Sequence, residues 1–144
     1  MSFKKILIAV DESEFAAHAA DVAIELAKPL KAKIGLVHVY DPAVGPGTMW
    51  SVPADKLMEM SEREAKHLLA RFRERAQTHK AVPEFLEAGV PAAKIVDAAK
   101  RWSADLIVMG SHGRGKIGGL LLGSVSQEVL HHAPCPVLVV RAPA

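Results

Sequence analysis

One stretch of this 144-residue chain concentrates the residues that could do chemistry: Gly110-Ser111-His112-Gly113-Arg114-Gly115-Lys116-Ile117-Gly118-Gly119-Leu120-Leu121-Leu122-Gly123-Ser124. It follows the strand-forming run Asp105-Leu106-Ile107-Val108-Met109 and ends where Ser124-Val125-Ser126-Gln127-Glu128 opens a helix. A strand, a glycine-rich loop and a helix start together make an anion site. Glycines let main-chain N–H groups converge on a ligand through positive φ and close approach, and the helix start adds unpaired N–H groups and a dipole. Two parses of the loop fail. Gly110-x4-Gly115-Lys116 begins as a P-loop, but Ile117 stands where a Ser or Thr must bind Mg²⁺. Gly113-x-Gly115-x-x-Gly118 spells the dinucleotide fingerprint, yet it follows a late strand, opens no helix and lacks the acidic residue further on.

Other chemistry-bearing residues divide into site and scaffold. Asp11, after the first strand, has two readings: with Glu14 it is an N-cap in a capping box, or it holds a ligand's hydroxyls at the strand mouth. His38, inside an apolar strand, reads as a packed or hydrogen-bonded sheet residue. His131 and His132 are adjacent, a poor spacing for a metal on a helix, and suit the negative end of a helix dipole. Cys135, alone and between two prolines, allows no internal disulfide and reads as a small buried residue.

The elements that must position these groups alternate. Lys4 to Val10 is a continuous apolar strand of the kind buried on both faces, and Ala16, Ala19, Ala20, Ala23 and Ala27 give the next helix a stripe of small side chains. Pro29 is expected to close that helix. Lys33 to Tyr40 is the second strand. The loop Asp41 to Pro53 leaves its carboxyl end, and reads either as a lid with Met49 and Trp50 as contacts or as a partner-contacting or mobile loop. A long amphipathic helix runs from about Ala54 to Gln77, an edge strand from Val82 to Ala88, and a helix from Pro91 through Trp102, a core residue. The strand from Asp105, the last helix to His132-Ala133 and a strand from Pro136 to Arg141 complete the chain. Right-handed βαβ crossovers and a parallel sheet of five strands follow from this alternation.

Composition limits the function classes. The length is that of one domain, expected to span residues 1–144, and half the residues are hydrophobic with 24% charged, a globular balance. A formal charge of +2 is too mild to suggest nucleic acid. No apolar run is long enough to span a membrane and no signal-peptide core follows Met1, so a cytoplasmic protein is expected.

A third parse of the loop, Gly110-x2-Gly113-x9-Gly123-Ser124, resembles the nucleotide-binding signature of the universal stress protein family, in its ATP-binding branch. Ile8-Ala9-Val10-Asp11-Glu12-Ser13, Val37-His38-Val39 and His132-Ala133-Pro134-Cys135-Pro136-Val137-Leu138-Val139-Val140 extend the resemblance over essentially the whole chain. It implies a three-layer, doubly wound, Rossmann-like α/β fold of the adenine nucleotide alpha hydrolase type, with five parallel strands ordered 3-2-1-4-5. It also implies a nucleotide set of Ala9, Val10, Asp11, Val39, Met109, Gly110, His112, Gly113, Arg114, Gly115, Gly123, Ser124, Val125 and Ser126. Within it Asp11 takes the ribose hydroxyls, Ala9 and Val39 flank the adenine, Gly110 and Gly113 offer N–H groups, and Gly123, Ser124 and Ser126 hold phosphates.

Ser124 is also expected to be the N-cap, with Gln127 completing a capping box. The implied ligand is ATP, or ADP or AMP, with Mg²⁺ bridging phosphates. Arg114 and Lys116 add positive charge. A homodimer through Val137 to Arg141, or a higher oligomer, is implied too, as is an unidentified regulatory partner. Two functions stand open: a nucleotide-dependent regulatory protein of the stress response, and a slow ATPase or autophosphorylating enzyme in which His112 and Arg114 are the available groups.

Overall fold

The computed structural model describes residues 2–40, 53–76, 81–112 and 122–141. Nine elements alternate along it: β1 (Lys5–Ala9), α1 (Glu14–Leu30), β2 (Lys33–Tyr40), α2 (Ala54–Ala76), β3 (Glu84–Ala88), α3 (Pro91–Trp102), β4 (Leu106–Gly110), α4 (Ser124–His132) and β5 (Val137–Val140). All four strand pairings are parallel, and the sheet order is β3-β2-β1-β4-β5. This is the expected order, with β1 in the middle. Ile6, Leu7 and Ile8 are fully buried because both faces of a central parallel strand are covered.

Alternation along the strands sorts the core into two layers. Ile6, Ile8, Val10, Ile34, Leu36 and Val108 face the alanines of α1 and Leu68, Leu69 and Phe72 of α2. Leu7, Ala9, Val37, Ile107 and Met109 face Ile95, Ala98 and Ala99 of α3 and Val129 of α4. The small stripe on α1 lets the helix press close: a Cβ on Gly110 would stand 2.7 Å from Phe15 Cβ and 2.9 Å from the Phe15 carbonyl carbon. Trp102 is half-buried over Gly35, where a Cβ would meet its ring at 2.9 Å, and it packs with Phe85 at a centroid distance of 6.3 Å.

Several helix ends differ from the sequence reading. Pro29 does not close α1, which continues to Leu30 with Pro29 in its last turn. So near the end the missing N–H costs one intrahelical bond only. Closure comes instead from Lys31 in the left-handed region (φ 53°), with Lys31 N–H donating to Lys28 O and Ala32 N–H to Ala27 O. Ser103 (φ 57°) ends α3 in the same way, on Lys100 and Ala99. The α1 N-cap is Ser13 and not Asp11: the Ser13 hydroxyl accepts the Ala16 N–H at 3.2 Å.

The two sheet edges are unlike. On β3, Glu84 pairs with Arg73 at 2.6 Å and Glu87 pairs with Arg101, which also lies over the Phe85 ring. β5 presents Val137, Leu138 and Val139, all half-buried. None of the described helices is long and apolar enough to cross a membrane.

Candidate functional site

The strands all end on one side, and the crossovers diverge between β1 and β4, where β1 leads to α1 on one face and β4 leads to α4 on the other. Ligand crevices open at such a switch point. Four of the expected residues converge there on a single face: Ala9 and Met109 belong to the second core layer, and Val39 and Val125 pack against it. Together they make an apolar wall at the carboxyl ends of β1, β2 and β4 and the first turn of α4.

On the β2 side of the crevice, the pairing of β1 with β2 stops early. Its register ends at Ala9↔Val37, and one more bond runs from Val10 N–H to Val37 O at 2.9 Å. Odd-numbered residues of β2 turn their backbone groups toward β1, as Lys33 N–H does toward Lys4 O at 2.8 Å. Even-numbered ones turn toward β3, as Leu36 N–H does toward Pro83 O. Val39 therefore presents both its N–H and its C=O toward the space that β1 has left. Val10 offers neither of its own backbone groups freely: its carbonyl meets His38 Nδ1 at 2.7 Å.

Asp11, half-buried, stands at the exit of β1. Its Oδ1 accepts from the Ser13 N–H at 2.8 Å and from the Ser13 hydroxyl, whose lone pair caps α1. Asp11 thus fixes the residue that caps the helix, and its described bonds use one carboxylate oxygen.

On the β4 side, three bonds tie the strand to α4. Gly123 N–H donates to Ser111 O at 2.7 Å, and the Ser126 hydroxyl, 2% exposed, donates to Gly110 O at 2.9 Å and more weakly to Ser111 O at 3.3 Å. Ser111 N–H continues the ladder to Val140 O at 2.9 Å. The N-cap of α4 is Gly123, and Ser124 is the exposed first residue of the helix rather than its cap. The Gln127 N–H goes to Gly123 O, and among the described residues no side chain caps the first turn, which holds no acidic residue. The leading N–H groups of a helix start and the positive end of its dipole favour an anion. Gly123 (φ −73°) is crowded by protein: a Cβ there would lie 3.3 Å from His112 Cα and from Ser111 O. At Gly110 and Gly123 the need for glycine is close approach, not positive φ.

His112 rests its ring on Phe15, centroids 5.3 Å apart, with Nδ1 3.2 Å from Ser111 Oγ. Gly113, Arg114 and Gly115, and with them Lys116, Met49 and Trp50, lie outside the described residues. Ser13, His38 and Ser111 lie outside the expected nucleotide set. The Asp-x-Ser spacing could have pointed to Ser13, whereas His38 and Ser111 are placed by register. His132 pairs with Glu128 at 3.5 Å, and among the described residues no three His, Cys, Asp or Glu side chains gather. Cys135 is half-buried, and burial, then the Asp105 charge, push its thiol up despite a backbone hydrogen bond with Ile107.

An open parallel sheet ordered β3-β2-β1-β4-β5, with helices on both faces and crossovers that diverge between β1 and β4, defines a doubly wound, Rossmann-like α/β domain. The universal stress protein family model matches residues 2–141. A universal stress protein of Thermus aquaticus is 44% identical over 149 aligned residues, covering 96% of this chain and 99% of that one. Among solved structures, UspA of Lactobacillus plantarum superimposes with a TM-score of 0.83 at 27% identity, covering 98% of this chain and 99% of the other. A universal stress protein in complex with cAMP gives 0.74 at 26% identity, with 99% and 100% covered. The chain belongs to the universal stress protein family.

Proposed function

We propose that this chain is a nucleotide-dependent regulatory protein of the cytoplasmic stress response, holding ATP, or ADP or AMP, in the crevice between β1, β2 and β4. One observation carries the reading: the α4 N-terminus, uncapped by any described side chain, lies on the same face of the sheet as Val39, whose backbone N–H and C=O have no partner among the described residues. A donor beside an acceptor matches the edge of adenine, whose N1 accepts and whose amine donates; guanine offers the reverse order. Ala9, Val39 and Met109 supply the apolar wall for the base. In this reading Asp11, at the exit of β1, takes the ribose hydroxyls. Gly123, Ser124 and Val125 take phosphates at the helix start, and Gly113, Arg114 and Gly115, outside the described residues, are expected to join them. Mg²⁺ would sit mainly on phosphate oxygens. The cAMP complex of a relative supports a nucleotide in this fold.

Ser126 serves this site by position. Its hydroxyl proton goes to Gly110 O, so it holds α4 against the end of β4. Val10 likewise supports the mouth through its engaged backbone. Of the groups available for hydrolysis, His112 is packed on Phe15, which favours binding over turnover. The apolar β5 edge, at the opposite side of the sheet from the charged β3 edge, supports a homodimer through Val137 to Arg141, since an open apolar strand is otherwise an aggregation template.

Mass spectrometry of the ligand released by denaturing freshly purified protein tests the reading. An adenine nucleotide is expected. A guanine nucleotide, or a ligand with neither base nor phosphate, would overturn it.

A further inference from the structure

In a parallel ladder the bond after Val10 N–H to Val37 O is the return from Val39 N–H to Val10 O. That bond is not made. The Val10 carbonyl is taken instead by the imidazole of His38, at 2.7 Å. Because a carbonyl only accepts, Nδ1 carries the proton and donates. His38 is 3% exposed and shares the α1/α2 face with Leu36 and Val10, while the Val39 side chain turns to the opposite face with Ala9 and Met109. A side chain of β2 thus satisfies the buried carbonyl just past β1 without spending a backbone donor of β2. The ladder stops one bond early, and the Val39 N–H stays available.

We infer that His38 is a positioning residue that reserves the Val39 N–H for the ligand's base, and so sets both the end of β1–β2 pairing and the selectivity for adenine. The inference rests on the adenine-nucleotide reading above. Without the imidazole, Val10 O would be a buried acceptor with a donor one ladder step away. Burial without a partner is unfavourable, so the Val39 N–H would turn to it and the crevice would lose its donor. Binding of phosphates at α4 should be untouched, because the His38 side chain lies on the α1/α2 face of the sheet and α4 packs on the other.

The test uses the full chain as wild type, His38→Leu and His38→Asn, the asparagine placing an amide N–H where Nδ1 stands. Amide exchange by NMR and calorimetric titration with ATP and with inorganic tripolyphosphate are measured on each. In unliganded wild type the Val39 amide should exchange much faster than that of Val37 and become protected when ATP is added. In His38→Leu it should be protected without ligand, with ATP affinity falling about tenfold, the loss of one hydrogen bond, and tripolyphosphate affinity unchanged. His38→Asn should restore wild-type behaviour in both measurements.

A Val39 amide already protected in unliganded wild type overturns the inference without any variant, even if His38→Leu fails to fold. Equal loss of ATP and tripolyphosphate in His38→Leu also overturns it, since a loosened fold would weaken both. Wild type that exchanges as expected but binds no ATP refutes the nucleotide reading and leaves the His38 backbone device standing without that ligand.

Discussion

Two serines at the start of α4 look alike in sequence and should behave oppositely. Ser126 is buried, and its hydroxyl donates to Gly110 O at 2.9 Å and, less well, to Ser111 O at 3.3 Å. The first of these carbonyls lies where β4 has run past the end of β1, whose register with β4 stops at Ile8↔Val108. Ser126→Ala removes the donor and leaves a buried acceptor, a change of about 2 kcal/mol in folding stability. With a urea slope of about 2 kcal/mol per molar for a chain of this size, the unfolding midpoint should fall by about 1 M. Ser124 is exposed and makes no cap bond, so Ser124→Ala should move the midpoint very little. It should instead weaken ATP binding by about 1 to 2 kcal/mol, or about five- to thirtyfold, from a lost bond to a charged phosphate. Urea unfolding and calorimetry on both variants decide the matter. A Ser126→Ala protein that unfolds with wild-type urea dependence and yet loses ATP would put its hydroxyl on the ligand and refute the latch.

Gly110→Ala should lower stability by about 2 to 3 kcal/mol, because the new methyl would stand 2.7 Å from Phe15 Cβ and 2.9 Å from backbone; thermal unfolding checks it. Lys31→Gly should raise stability by about 1 kcal/mol, relieving a left-handed φ of 53° at the end of α1, and a denaturant midpoint no higher than wild type would count against that helix end. The Arg75 hydrogen bond holds Asp21 below its ordinary 3.8, against the opposing pull of burial. A depressed carboxylate stabilises the fold above its unfolded value and stops doing so as pH falls through the folded one. Asp21→Asn should therefore cost about 0.5 kcal/mol at neutral pH, small because both partners are about half exposed, and nothing once pH is well below 3.8.

The sheet was legible because each strand is a short run with one reading. Lys33–Tyr40 matches its expected bounds, since a buried parallel strand leaves a largely apolar run, here ended by charge at Lys33 and by Asp41-Pro42 beyond Tyr40. Helix termini were less legible, because neighbouring residues can take the same role. Asp11 and Ser13 both suit a cap, and only the chain path puts Ser13 at the helix and Asp11 behind it. Ser124 and Gly123 differ in the same way: the glycine sits where the Ser111 and His112 backbones come closest, which moves the cap back one residue. His38 was readable as a sheet residue with a hydrogen bond, but not as a partner for Val10, 28 positions away. Register between strands is a tertiary property, and no local pattern carries it.

In the proposed function, Val39 reads an adenine edge and the start of α4 takes a phosphate. Calorimetric titration of the full chain with ATP and with GTP, in Mg²⁺, tests it most directly. The expected result is one ATP per chain, with GTP at least tenfold weaker because its donor and acceptor oppose those of Val39. No heat with ATP, or equal affinity for the two nucleotides, would contradict it.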